Sequence, residues 1–577
     1  MLSPSGRRPT SFLSTSSTSA SASASSSSSS SSASASASAS PSSTAEDLAS
    51  WVEARGGFAP RDRVAVFAEG ASRGLALRCV SGAKRGDVLV RLPASCLLHG
   101  DDDDASSSSS SALSSLLPEG VEAAVARLCS RVPPELWGAR LALRLLAHRA
   151  AGDASPLAPY LRALPAGVPG VPIFFPKSAV DVLQEYAPVG AQVLKRCRFL
   201  ASFVEREGLL EAPSRPGSDA AIAFSGAAVD ASALAWAFSI STSRAFRVRG
   251  EERAPSCLPL IDMANHDFAP TARVVPWRRE GGVGGSGSGN GSGSGSGSSS
   301  GSSSSDDPGG AAGAGVALVA EADLEPGTPL TLNYGALPSD FFLLDYGFFA
   351  PYPGNPFDVV KLRWSQSLVD AAADFARVRL PGGGASASSS LSASPWKAAA
   401  LAPLSLQSDP EVRVLAAHPW VDGRFLAAAR VAAAASPADV RGRSLASFSS
   451  SSGFSSSSSS KSDPSLADLD RGFLADPAAE ARALRLLGGA CLLSLAAFPT
   501  APEQDRALLR LGAGEEGALK SADEVAARRF ILSKKEMLER AAKEMGARAR
   551  AAAARAKGGG SGGGGGGEKS KGFGGKK

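Results

Sequence analysis

Between residues 58 and 100 apolar and polar side chains alternate, and turn residues punctuate the alternation. The runs Val64-Ala65-Val66-Phe67, Leu75-Ala76-Leu77 and Val88-Leu89-Val90-Arg91-Leu92 are separated by turns at 69–74 and 82–87. A period of two with such breaks predicts a small antiparallel β region, entered from a short helix over 46–55. Residues 101–111 then read as a solvated loop. The period changes over 112–245. Leu136, Leu141 and Leu145 recur at helical spacing behind Pro133-Pro134, a favoured helix entry. Pro156, Pro159 and Pro165 break the next stretch, and further helices are predicted over 179–207 and 231–238. Strand chemistry returns at 257–262, 271–276, 316–320 and 330–334.

After Pro356 the chain is rich in Ala, Leu and Arg and reads as helical. Its last helix is the best marked. Ser521 and Glu524 have the spacing of a capping box, and Ala527, Phe530, Ile531, Lys534, Met537, Leu538, Ala541 and Met545 fall on one face. Arg528, Arg529, Lys534, Lys535 and Arg540 read most simply as a solvated face, with recognition of an acidic patch on a substrate as the alternative. The order of elements is β, α, β, then α, which makes the fold class α+β.

Composition divides the chain. Residues 14–44 are nearly all Ser and Ala, 284–305 are Gly and Ser, 449–462 are mostly Ser, and 558–577 are mainly Gly and Lys. Such tracts bury too little apolar surface to offset the entropy of ordering them, so disorder is expected there. The remainder suffices for two domains. A net charge of +5 on 577 residues implies no nucleic-acid partner. Cys79, Cys96, Cys129, Cys197, Cys257 and Cys491 form no CxxC pair, and only four histidines are present. No metal site is therefore expected. The most apolar internal run, 486–498, contains Gly488, Gly489 and Ser494 and is too short to span a bilayer, so no membrane span is expected. The first acidic residue is Glu46, while Arg7 and Arg8 lie near the start. That is the composition of an organelle transit peptide over 1–44; simple Ser/Ala expansion is the alternative, since similar runs recur at 106–111 and 449–460.

Three short stretches carry the chemistry: Asp262-Met263-Ala264-Asn265-His266, Leu332-Asn333-Tyr334-Gly335 and Leu344-Asp345-Tyr346-Gly347-Phe348. In this order and spacing they resemble the signature of SET-domain protein methyltransferases. The group they are most similar to includes the Rubisco large-subunit lysine methyltransferase and histidine-modifying relatives. Ser155-Pro156-Leu157-Ala158-Pro159-Tyr160-Leu161, Ser243-Arg244-Ala245-Phe246 and Asn355-Pro356-Phe357-Asp358 extend the resemblance. The long step from His266 to Tyr334 fits too, because about half of it is the Gly/Ser-rich stretch 281–315, which reads as a flexible insertion between two strands.

The resemblance implies a SET domain over 45–357, built of small twisted β-sheets with a helical insertion at about 112–235 and a disordered loop at about 281–315. An all-α substrate-binding domain over 358–557 and a Gly/Lys tail over 558–577 would follow. It implies S-adenosylmethionine as cofactor and Tyr334 as the catalytic residue that orients the substrate amine. Arg73, Gly74, Leu75, Arg244, Asp262, Asn265, His266, Tyr346, Gly347 and Phe348 would form the cofactor side, with Phe341 and Phe342 packed behind the aromatic walls. Glu69 to Leu75 is two residues longer than the compact turn of relatives, which leaves open whether Glu69 or Arg73 faces the ligand. Asp267, beside His266, could raise the imidazole pKa or cap a turn. The implied partner is a lysine-bearing protein, such as the Rubisco large subunit or another stromal protein, met by a monomer in the chloroplast stroma; the cytoplasm is the alternative. Methylation of a histidine, or a non-catalytic binding scaffold, are the competing functions. A dinucleotide fingerprint is excluded, because the Gly-Ser-Gly runs follow no strand and open no helix, and no GxxxxGK[ST] loop is present.

Overall fold

The computed structural model describes residues 41–69, 74–100, 117–248, 255–278, 314–381, 394–440, 476–511, 515 and 517–558. The expected transit peptide, the Gly/Ser insertion, the second Ser tract, the tail and Arg73 thus lie wholly or almost wholly outside the described residues. The chain divides into two compact units. One comprises residues up to 174, then 193–335 and 345–347; the other takes 175–192, 336–344 and the chain from 348 onward.

The first unit holds three small sheets. β1 (Val64–Ala68) and β2 (Leu75–Cys79) form the predicted hairpin. β3 (Val88–Pro93) pairs with β9 (Ala314–Ala320), and β9 pairs with β8 (Ala272–Arg278). β4 (Leu98–His99), β5 (Ala245–Phe246) and β6 (Ser256–Cys257) make a third, minimal sheet. Arg278 lies opposite Ala314 in the β8–β9 register, so the Gly/Ser stretch connects two antiparallel neighbours. The helical insertion includes Glu119–Ser130, Trp137–Ala150 and Ala231–Arg244, and residues 193–206 of the helix Ala187–Arg206 also belong to this unit. Leu77, Leu89, Leu92, Leu141, Leu145, Phe224 and Leu258 lie in one fully buried core. Four of the six thiols, Cys96, Cys129, Cys257 and Cys491, are buried deeply enough that desolvation pushes them up to about 12, so they are packing groups.

In the second unit the helix Ala522–Gly558 packs along Pro477–Ala496, against which Gln366–Phe375 and Gly423–Ala433 also lie. Gly489 lets these helices meet: a Cβ there would stand 2.7 Å from the Ala372 carbonyl oxygen. Half of the capping box forms: Ser521 Oγ accepts from the Glu524 N–H at 3.1 Å, while Glu524 Oε2 accepts from the Lys520 N–H at 2.6 Å. The eight residues placed on one face of this helix are all buried.

Two expectations need correction. The helical domain also carries a two-stranded ribbon, Val359–Arg363 with Glu411–Leu415, in which the β-branched Val359, Val360, Val412 and Val414 are buried. The basic face is only partly solvated. Arg529 and Arg540 are exposed, but Lys534 and Lys535 are fully buried and Arg528 nearly so, each facing carboxylates from other segments of the same unit. Charge along a helix records what a residue carries; its partner acids, Glu185, Asp340, Asp358 and Asp505, are far away in sequence.

Candidate active site

β10 (Pro329–Leu332) lies between β2 and β7 (Asn265–His266). Thr331 pairs with Asn265 and Leu332 with His266 in parallel register, so two motifs far apart in sequence run side by side. The chain reaches β7 through a tight turn, Ile261–Met263, in place of the predicted strand to 262. Leu260 makes the turn possible by adopting φ 72°, a left-handed conformation that costs a branched side chain energy and persists because the site around it holds it.

That turn is braced from below. Asp262 is buried; its Oδ2 accepts from the Tyr160 hydroxyl at 2.6 Å, and Arg244 Nη1 donates to its backbone oxygen at 3.2 Å. Arg244 Nη1 also lies 3.6 Å from Asp262 Oδ1. Burial pushes the Asp262 carboxyl up, while Arg244 and the Tyr160 hydroxyl pull it back down. The turn presents the Ala264 carbonyl, which accepts from the Tyr334 hydroxyl at 2.7 Å. Burial holds the Tyr334 hydroxyl above its ordinary pKa, so it stays protonated.

His266 locks the other end of Tyr334. Its Nδ1 lies 3.2 Å from the Tyr334 N–H and 3.3 Å from the Leu332 carbonyl oxygen. A backbone N–H can only donate, so a bare Nδ1 on a neutral ring satisfies it. Burial lowers the His266 pKa and favours this form, outweighing the Leu332 carbonyl and Asp267. Asp267 instead caps a turn, accepting from the Ala269 N–H at 2.9 Å. Asn265 donates through Nδ2 to Glu69 Oε2, so Glu69 reaches this strand pair, while Arg73 lies outside the described residues. The Glu69 N–H donates to the Gly74 carbonyl at 2.8 Å and closes the β1–β2 turn. Gly74 has φ 69°, with no atom within 4 Å of where a Cβ would lie, and leaves an open backbone edge beside half-buried Leu75.

Residues 390–538 match the protein family described as Rubisco LSMT substrate-binding. The crystal structure of the SET domain of LSMT bound to lysine and AdoHcy superposes with a TM-score of 0.52 at 15% identity, over 88% of this chain and 92% of that one. The structure of Rubisco LSMT bound to sinefungin and monomethyllysine gives 0.52 at 16% identity, over 88% and 93%. No curated protein matches the sequence. The fold is LSMT-like.

Within this LSMT-like fold, aromatic rings surround Tyr334. Tyr346 stacks on it at 4.9 Å between centroids and 26° between planes. Phe246 meets it edge-on at 6.0 Å, and His266 lies 5.2 Å away. The remaining motif residues are placed differently. Phe348 belongs to the second unit, where it lies 5.4 Å from Phe342 and is 42% exposed. Phe342 is buried, whereas Phe341 is 43% exposed. Gly347 serves close packing: with φ 75°, a Cβ on it would stand 2.7 Å from the Pro169 oxygen, and one on Gly170 would collide with the Gly347 oxygen. Sequence reasoning gave no role to Tyr160, Gly170 or Arg196, because each acts on a motif through a contact at long sequence separation.

Proposed function

We propose that this chain is an S-adenosylmethionine-dependent protein-lysine N-methyltransferase acting on a non-histone, plastid protein. The observation that carries the reading is Tyr334: its protonated hydroxyl is fixed on the Ala264 carbonyl, and its ring is stacked on Tyr346, beside the paired β7 and β10. The likeness to structures holding AdoHcy with lysine, and AdoMet, supports the same choice of ligands.

The residues fit the cofactor. The open edge at Gly74 admits a ligand close to the backbone, and Asn265 and Arg244 supply amide and guanidinium donors in the same unit. Leu75, Asp262, His266, Tyr346 and Gly347 would shape this side, Asp262 by holding the turn and Gly347 by holding Tyr346. Bound there, S-adenosylmethionine supplies the methyl group. The protein's part is to deliver a neutral amine in line with it. A lysine ammonium has a pKa of about 10.4 in water, and aromatic walls such as Tyr334 and Tyr346 disfavour its charge by desolvation. The Tyr334 oxygen keeps lone pairs for the amine while its proton is held by Ala264. Orientation of this kind supplies rate without a strong base.

The 390–538 segment supports a protein substrate. A lysine-bearing stromal protein, with the Rubisco large subunit as first trial, is the proposed target. The deciding experiment incubates the protein with methyl-labelled S-adenosylmethionine and a stromal extract, then locates the label by mass spectrometry. Label on lysine, lost in Tyr334→Phe on the order of a hundredfold, is expected from loss of an orienting contact. Label on histidine would shift the assignment to the alternative acceptor, and no label with wild-type protein would point to a binding scaffold.

A further inference from the structure

We propose that Arg196 is a positioning residue for methyl transfer: through Asp345 it fixes Tyr346 against Tyr334. The inference rests on the site reading above and adds the helical insertion to the machinery.

Tyr346 is bracketed by two contacts that no motif supplies. On its N-terminal side Asp345 Oδ1 lies 2.7 Å from Arg196 Nη1, on the helix Ala187–Arg206. The two side chains are only 18% and 21% exposed, and the Arg196 guanidinium also stands 5.5 Å over the Phe238 ring. Its orientation is therefore set from two directions. Burial raises the Asp345 carboxyl and Arg196 pulls it down, as a pair screened from water requires. On its C-terminal side Gly347 presses backbone to backbone against 169–171, an approach that glycine at 170 and 347 permits. The chain leads into Tyr346 through a π-turn over Phe342–Tyr346, a wide and uncommon geometry frequent at functional sites. Left to itself this turn could tighten to ordinary helix, which rotates each later side chain about the axis. The ion pair at Asp345, one residue before Tyr346, opposes that rotation and keeps the ring in the 4.9 Å stack with Tyr334.

A bond that merely stabilises would behave otherwise. Removing either charge breaks a half-buried ion pair, which lowers stability; removing both relieves part of that cost. A positioning role predicts that the double variant regains stability and not rate. Arg196→Met, Arg196→Lys, Asp345→Asn and the Arg196→Met/Asp345→Asn double variant are compared with wild type and Tyr334→Phe in the full chain. Methyl-labelled S-adenosylmethionine at saturation and the stromal extract serve as probes, with calorimetry for cofactor binding and a thermal melt.

Arg196→Met and the double variant should lose roughly tenfold or more in rate, the scale expected for a displaced catalytic group. Cofactor Kd should stay within about threefold. Arg196→Lys, which keeps the charge and loses the fork, should fall between. Recovery of wild-type rate in the double variant overturns the inference. So does full rate in Arg196→Met while Tyr334→Phe is dead, which leaves the site reading standing. Full rate in Tyr334→Phe overturns the site reading and this inference with it.

Discussion

Lys534→Met tests the charge burial that most separates this structure from the pattern of its sequence. The ammonium is fully buried, 2.7 Å from Asp340 Oδ1, 2.7 Å from Asp358 Oδ1 and 2.9 Å from the Val359 oxygen. Three acceptors match its three protons, and the Tyr186 and Phe530 rings stand 5.5 and 4.9 Å away. Burial alone would lower the Lys534 pKa, but Asp340 and Asp358 override it and hold it above its ordinary value. Methionine keeps the length and removes the charge. It strands two buried carboxylates, and removing one partner of a buried pair costs about 3–5 kcal/mol. In a unit of this size that corresponds to a fall in Tm on the order of 10 °C. Asp340 limits the loss, since burial already raises its pKa and without Lys534 it rises further. A carboxyl whose folded pKa lies above its unfolded value binds protons more tightly when folded, so the variant should lose stability as pH rises from its unfolded pKa through its folded one. Denaturant unfolding at pH 5 and pH 8 should show a larger gap from wild type at pH 8, and adding Asp340→Asn should narrow it. A variant within about 1 kcal/mol of wild type at both pH values, less than a typical buried substitution costs, would refute the argument.

Three further outcomes follow from the same geometry. Asn265→Ala should weaken S-adenosylmethionine binding by roughly 1–3 kcal/mol, because Glu69 loses its partner and the ligand a donor, whereas Tyr334→Phe should bind almost normally and turn over slowly; calorimetry beside the methylation assay separates them. Deleting 284–305 should leave the thermal midpoint nearly unchanged, since Arg278 and Ala314 already face each other and loop-closure entropy varies only with the logarithm of length; a large drop would show that the stretch contributes packing. Residues 1–60 fused to a fluorescent reporter should enter plastids, as the absence of acids before Glu46 suggests, and a uniform cytosolic signal would count against it.

The sequence by itself determined what local chemistry determines. Alternation foretold β1, β2 and β3, and helical spacing foretold the buried face of the last helix, because period and burial are two views of one constraint. The ordered motifs located β7 and the end of β10, from which Tyr334 follows, and Gly/Ser composition marked the interruption between β8 and β9. Tertiary structure decided the rest. Leu260 turns left-handed although its residue type disfavours it, since the braced Asp262 turn holds it there. Lys534 sits in the core because Asp340 and Asp358, nearly two hundred residues earlier, meet it there. Glu69 reaches Asn265, Tyr160 holds Asp262 and Arg196 grips Asp345 for the same reason. Each of these pairs joins segments that only packing brings together, and no pattern along the chain records which distant charge or hydroxyl will complete a buried group.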